Sequence, residues 1–168
     1  GHIYNWNTSL ITNMDYLFYY KTNFNENINN WDVSNVINMR CTFTHAELFN
    51  KPLSKWNVSN VEDMRAMFSN AKSFNQDLSS WDVSNVRIMG ALFRNAHSFN
   101  KPLSSWNLSN ITDLGEMFYD ASSFNQSLNN WNFDNIIYIK NIFYGTKNLN
   151  LEKNALWAKP YINEDFYI

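Results

Sequence analysis

Tryptophan recurs at a fixed interval along this chain, and the interval limits the folds that are open to it. Self-similarity at a period of roughly 20 to 50 residues indicates a stack of repeated units, because one such unit cannot bury an apolar face alone. Six tryptophans follow one another at intervals of 25 residues: Trp6, Trp31, Trp56, Trp81, Trp106 and Trp131. The chain is therefore predicted to be a stack of about six 25-residue units, each beginning at one of these tryptophans.

The units share the consensus W-[DN]-V-S-N-V-x-x-M-x-x-x-F-x-x-A-x-x-F-N-x-x-L-S-x. The copy that begins at Trp131 is degenerate, and the pattern is lost beyond Asn150. We therefore predict a repeat solenoid over residues 1–150 and a C-terminal cap over residues 151–168. No comparable cap is evident at the N-terminal side, which predicts a partner, more repeats or an open sheet edge there. Copies of the chain could form a homo-oligomer through such an uncapped edge.

Within one unit, the spacing of the apolar residues predicts a short strand followed by a short helix. Residues 78–83 end in an alternating, β-compatible stretch, whereas the apolar positions of residues 86–96 follow one face of a helix. Ser84, between the two stretches, is predicted to be the N-cap of the helix. Stacking would then place strand on strand and helix on helix.

Stacking also converts each repeated position into a column of side chains. Trp81 and Val83 lie two residues apart on the predicted strand and so face the same way. We therefore interpret the tryptophans as core, and not as an exposed row on which sugars stack. Asparagines that follow the second phenylalanine of each unit are predicted to satisfy backbone groups at the turn, since a buried amide must find partners. They are Asn25, Asn50, Asn75, Asn100 and Asn125.

The opposite face of the predicted strand carries small polar side chains of little net charge. In a solenoid, such a face often binds a partner, although a merely solvated face explains the pattern equally well. Positions that do not repeat, among them tyrosines near both ends, are a second source of binding residues. The candidate protein-binding face consists of Asn30, Asp32, Lys55, Asn57, Ser80, Asp82, Ser105, Asn107, Asn130 and Asn132.

Composition and motifs argue against several other functions. A formal net charge of −2 and the absence of a basic stripe argue against nucleic acid as a partner. No apolar run approaches the roughly 18 residues that span a bilayer, so we expect no membrane insertion by this segment. Cys41 and His45 lie four residues apart, yet no third ligand accompanies them, and the four glycines form no phosphate loop. We predict no catalytic residue, cofactor or metal site, and hence no enzyme.

The core pattern L-x-x-W-x-V-x-x-V-x-x-M-x-x-x-F resembles the leucine-rich repeats of BspA-like bacterial surface proteins. More specifically, W-D-V-S-N-V-x-x-M resembles a repeat of surface lipoproteins in mycoplasmas, Listeria and lactobacilli, which is also found in some large DNA viruses. The resemblance covers about residues 3–150. It implies an α/β fold, a right-handed leucine-rich-repeat-like solenoid with a parallel sheet, and it implies no catalytic residues.

The resemblance also directs the expected function. It implies a surface-displayed protein-interaction or adhesion module that meets a host or surface protein. Such a module would be extracellular, held by a lipid or wall anchor outside this chain, or would belong to a virion or an infected cell. One alternative is a structural element that stacks end to end in a cell-surface or viral layer, and another is a carbohydrate-binding module.

Overall fold

The structure is a computed structural model that describes residues 2–162. Its helical elements are short and lie near the ends: a 3₁₀ turn at Ile3–Asn5, the α-helix α1 at Leu151–Asn154, and a 3₁₀ helix at Leu156–Tyr161. The intervening part of the described chain forms isolated parallel bridges and turns but no named strand.

Each unit contributes one run of consecutive turns, which we call a rung. Rungs 1 to 6 cover residues 13–20, 38–45, 63–70, 88–95, 113–120 and 138–145. Along rungs 1 to 5, every second amide donates to a carbonyl of the next rung at 2.7–3.0 Å, as Phe68 N–H does to Leu92 O at 2.9 Å. Intervening amides donate within their own rung, as Met67 N–H does to Met64 O at 3.1 Å. The two sets together satisfy the backbone, which a buried segment requires.

The predicted helices are wrong. Residues 86–96, like their counterparts in the other units, are not helical, and every fourth residue of a rung has a positive φ, for example 52° at Ala66 and 58° at Asn70. An α-helix needs negative φ throughout. Successive turns closed by bonds between residues i and i+3 bury side chains at intervals of three and four, and this spacing imitates that of a helical face.

The predicted strands and parallel sheet are also wrong. A turn interrupts residues 78–83, where Trp81 N–H donates to Leu78 O at 3.1 Å. Parallel pairing is limited to one residue in each rung, such as Asp63 with Ile88. The predicted α/β fold, a right-handed leucine-rich-repeat-like solenoid with a parallel sheet, is therefore replaced by stacked runs of turns. The β-compatible side chains here indicate burial, because β-propensity largely measures burial. They do not indicate an extended backbone.

The prediction that the tryptophans belong to the core is confirmed for the five from Trp31 to Trp131, which are only 3–5% exposed. Each indole also donates a hydrogen bond to the carbonyl three residues before the preceding tryptophan. Trp81 Nε1–H, for example, donates to Leu53 O at 3.1 Å. Because the rings are buried, they offer no face on which a sugar could stack.

Phenylalanine forms two adjacent columns through the stack. Phe93 and Phe118, in successive rungs, have ring centroids 5.7 Å apart. Within a unit, the rings of the two columns come closer, with 3.9 Å between the centroids of Phe93 and Phe99. Their interplanar angle is 8°, so the rings of one unit stack in parallel. These columns hold the units at a constant register.

Two rows of asparagine join the units at the surface. Asn50 Oδ1 accepts from Asn75 N–H at 3.0 Å, and the same contact recurs from Asn25 to Asn150, which confirms the prediction for this row. The second row is formed by the asparagine of the V-S-N motif. Asn85 Nδ2–H there donates to Ser59 O at 2.7 Å.

The segment after Asn150 packs on the end of the stack. Trp157 stacks on Trp131 with 6.1 Å between ring centroids and donates from Nε1 to Leu128 O at 2.9 Å. It thus occupies the next place in the tryptophan column, although it lies slightly beyond the regular interval. Residues 163–168, the last part of the predicted cap, lie outside the described residues.

Candidate protein-binding surface

All ten residues of the predicted binding face are exposed, but they lie on turns and not on a sheet. The Asp or Asn that follows the tryptophan accepts a bond from the serine two residues later in the five units from Trp6 to Trp106. Asp82 Oδ1 accepts from Ser84 N–H at 3.1 Å, and Asp32, Asn57 and Asn107 form the same turn. The prediction of Ser84 as a helix N-cap is wrong, because Ser84 is the donor of this turn.

Hydrogen bonding holds several of these side chains in place. Donation by the side chain and then the backbone of Ser34 lowers the pKa of Asp32, and Ser84 has the same effect on Asp82. Lys55 Nζ donates to Asn30 Oδ1 at 2.9 Å, so the structure brings these two predicted residues together. The ten residues of the predicted face are called here the polar strip. Most of their side chains therefore take part in hydrogen bonds of the fold.

Ser105 Oγ–H of the predicted face donates to Ser79 O at 2.8 Å. The remaining three predicted residues, Ser80, Asn130 and Asn132, are exposed in the corresponding positions of their units.

Non-repeating side chains occupy a different surface, formed by the exposed positions of the rungs and called here the rung face. At the rung 1 end, Tyr16, Tyr19 and Tyr20 are 43%, 41% and 56% exposed. Their rings meet edge to face, with 5.2 Å between the centroids of Tyr16 and Tyr19 and 4.6 Å between those of Tyr19 and Tyr20. Partial burial, followed by the nearby Tyr20, raises the pKa of Tyr19.

Rung 2 extends this aromatic cluster. The His45 ring stacks on Tyr20 with 4.1 Å between centroids, and the Arg40 guanidinium lies 5.6 Å from the Tyr16 ring centroid. Cys41, beside Arg40, is partly buried and is the one cysteine of the chain. Arginine over a tyrosine ring is a cation–π contact that also occurs in protein interfaces.

A second cluster lies on rungs 4 to 6. Tyr119 stacks on Tyr144 with 4.8 Å between ring centroids, and the Arg94 guanidinium lies 4.6 Å from the Tyr119 centroid. Arg94 also forms an ion pair with Glu116. Tyr138, 47% exposed, covers Gly115 so closely that a Cβ there would overlap its ring.

Between the two clusters the rung face carries small side chains. Ala66 and Ala91 occupy positive-φ positions, and a Cβ added to Gly90 would lie 3.0 Å from the Asp113 carboxylate oxygens. Arg65 spans this region and reaches Asp113 Oδ2, two rungs away, at 3.5 Å. The arginines were not singled out from the sequence. The sequence pattern that could have identified them is an Arg and a Tyr in nearly equivalent positions of neighbouring units.

Other kinds of site have less support. No group of three or more His, Cys, Asp or Glu side chains among residues 2–162 is placed to hold a metal ion. Within the same described part of the chain, no helix has the length and apolar character needed to cross a membrane. A cavity of about 320 Å³ lies at the rung 6 end and is lined mainly by backbone and apolar side chains.

Fold and surface together define a class of protein: a stack of near-identical, turn-built units that displays one face of non-repeating side chains. The chain belongs to the family described as "Mycoplasma protein of unknown function, DUF285", whose model matches residues 1–98 and residues 59–157. This membership agrees with the resemblance to mycoplasma repeat proteins at the level of the family, and it carries no function. No curated protein and no solved structure is significantly similar to the chain.

Proposed function

We propose that this chain is a non-enzymatic, surface-displayed protein-interaction or adhesion module, and that its rung face contacts the partner protein. The observation that carries the proposal is that repeating and non-repeating positions have different roles. Repeated side chains are used for the core columns and for hydrogen bonds between units. Exposed side chains of the rung face differ from unit to unit and include clustered tyrosine and arginine.

The chemistry of the two clusters suits a protein partner. Tyrosine and arginine are enriched in interfaces, where each supplies a large contact area together with hydrogen-bonding groups. Hydrogen-bonded chains lie about 4.8 Å apart, so Tyr20 on rung 1 and Tyr119 on rung 5 are separated by roughly 19 Å along the stack. Two anchors at this separation fit a protein surface of ordinary interface size, about 800 Å² per partner, better than a small molecule.

The polar strip beside the tryptophans is less suited to binding a partner than the rung face. Asp32 and Asp82 are tied to the serines of their own turns, and Lys55 is tied to Asn30. A partner that used these groups would have to break bonds that hold the fold. This favours the rung face as the binding surface.

The test compares two variants for binding of the labelled protein to intact host-type cells and to an array of extracellular-matrix proteins. The first variant combines Tyr16→Ser, Tyr20→Ser and Tyr138→Ser on the rung face. The second exchanges Asp32→Asn and Asn57→Asp on the strip, which moves a negative charge to the next unit while keeping the net charge and the turn acceptors.

We expect the rung-face variant to lose at least about tenfold in affinity, because clustered aromatic residues carry most of the binding energy in interfaces. The strip variant should bind within about twofold of the unaltered chain. Equal binding by the rung-face variant would overturn the assignment of the surface. Failure of the unaltered chain to bind any cell or matrix protein would overturn the proposed function itself.

The proposal includes display outside the cell, through an anchor that is not part of this chain, or on a virion. Labelling of intact cells or virions with an antibody raised against the chain tests this part. Signal that requires permeabilised membranes would contradict display.

A further inference from the structure

Rung 6 ends the ladder of rungs with a row of unpaired donors. In rungs 1 to 5, the amides at the four equivalent positions all donate to the next rung. Among residues 2–162, the amides of Ile139, Asn141, Phe143 and Gly145 have no such acceptor. They lie at every second residue, which is the spacing at which a rung presents its accepting carbonyls elsewhere in the stack, as rung 3 does from Asp63 to Ser69.

An apolar cavity of about 320 Å³ lies against this row of donors. Phe143, Leu149, Leu151 and Ile162 contribute to its lining. Phe143 is 8% exposed, whereas Phe118, its counterpart one rung earlier, is completely buried, since no following rung covers Phe143. The end of the stack therefore combines unpaired backbone donors with an apolar floor.

We propose that this edge is a second binding site, distinct from the rung face, which takes a peptide segment of a partner protein that folds onto it as a turn-built seventh rung. Carbonyls at alternate residues of the peptide would accept from the four amides, and a bulky apolar side chain would pack on Phe143. The five rung-to-rung contacts inside the molecule are the template for this occupant. Strand-like addition of a peptide to an exposed backbone edge is a common mode of recognition, in which main-chain bonds supply affinity and pockets supply specificity.

A second copy of the chain fits this edge less well than a separate peptide. Rung 1 does present unpaired carbonyls at the matching spacing, from Asn13 to Tyr19. In such a head-to-tail contact, however, Trp31 of the second copy would stack above Trp157. Trp6 of that copy, which stacks below its own Trp31, would then coincide with Trp157. Only the half of the edge beside the phenylalanine columns is open.

Hydrogen exchange of the full chain provides the test, with a synthetic peptide of residues 62–74 as the probe. This peptide carries the rung 3 acceptors and Phe68, and it contains no cysteine. A peptide with Phe68→Asp is its control. Saturation with the probe should slow exchange of the amides of Ile139, Asn141, Phe143 and Gly145 by at least about tenfold, because each gains an acceptor. The control peptide should have little effect.

Two variants of the chain test whether the probe binds at the edge of rung 6 or at the adjacent cap. Leu149→Glu places a charge in the apolar lining and should weaken the probe by about tenfold or more. Leu156→Glu, at a leucine that is 55% exposed and outside the cavity lining, should leave binding within about twofold. The free energy of unfolding of both variants is measured by urea denaturation, so that a loss of folding is not mistaken for a loss of the site.

Three results would overturn the inference. The first is the absence of protection at the four amides when the probe is saturating. The second is strong protection of these amides in the free monomer, because the chain itself would then fill its own edge. Protection that rises with protein concentration in the absence of the probe would assign the edge to a second copy and would likewise refute the peptide site.

Discussion

Replacement of Trp81 by phenylalanine tests whether the 25-residue interval is maintained by the indole hydrogen bonds as well as by burial. Trp81 is 4% exposed, stacks on Trp56 at 6.4 Å and donates from Nε1 to Leu53 O. Phenylalanine retains an aromatic ring in the column but has no donor. The substitution therefore removes one contact between units and part of one side chain.

The expected cost follows from these two losses. Leu53 O keeps the bond from Trp56 N–H, so the carbonyl is not orphaned, and the lost indole bond costs about 0.5–1.5 kcal/mol. The missing ring atoms leave a void in a packed core, which costs roughly 1–2 kcal/mol more. Trp81→Phe should thus lower the free energy of unfolding by about 1.5–3.5 kcal/mol, a large part of the stability of an ordinary domain.

Trp6→Phe is the matched control, because Trp6 begins the same column but is 56% exposed. We expect it to cost less than about 1 kcal/mol. Urea denaturation followed by fluorescence of the remaining tryptophans measures both variants, with the slope m compared to detect a change in cooperativity. The reasoning is refuted if Trp81→Phe costs less than about 1 kcal/mol, or if the two substitutions cost the same.

Two further predictions concern the turns. Ala91→Gly should stabilise the chain by about 0.5–1 kcal/mol in urea denaturation, because its φ of 56° strains an L-residue by more than glycine loses in entropy. The same change at buried Ala96, which has no positive φ, should destabilise the chain. The reverse order would contradict the assigned backbone. Hydrogen bonds lower the folded-state pKa of Asp32, Asp77 and Asp82, so their stabilising effect is present above the ordinary carboxyl pKa and is lost as the pH falls below about 4. Replacing all three by Asn, which keeps the turn acceptor, should reduce the loss of stability between pH 5 and pH 3, and an unchanged acid profile would count against this cause.

Much of the packing could be predicted from the sequence. The interval between tryptophans, with the matched phenylalanines, was enough to predict stacked units and buried aromatic columns, because a side chain repeated at one period must meet its own copies. The role of the asparagine row headed by Asn25 followed in the same way, from the need of a buried amide for partners.

The secondary structure could not be predicted in this way. A helix and a rung of turns both bury side chains at intervals of three and four, so the apolar pattern of residues 86–96 does not distinguish them. The residues at positive φ, such as Asn70, Asn95 and Gly145, were the available signal, since Asn and Gly tolerate that conformation. Tyr16 and Ala66 occupy the same conformation without any such preference, and this weakened the signal.

The sequence and the structure each identified part of the candidate binding surface. The sequence directed attention to the polar residues beside each tryptophan and to the residues that do not repeat. Only the folded chain shows that Asp32 and Asp82 are bound to their own turns, while Tyr20 is exposed and Tyr119 half-buried on the rungs.

The sequence alone therefore determined that the units stack and which side chains form their core, because periodicity and hydrophobicity are properties of single positions. The tertiary structure decided the path of the backbone, since a rung is stable only when every second amide finds a carbonyl in the next unit, about 25 residues away. Within residues 2–162, the four equivalent amides of rung 6 find no such carbonyl. No local propensity contains that long-range pairing, which is why it was not visible before the chain was folded.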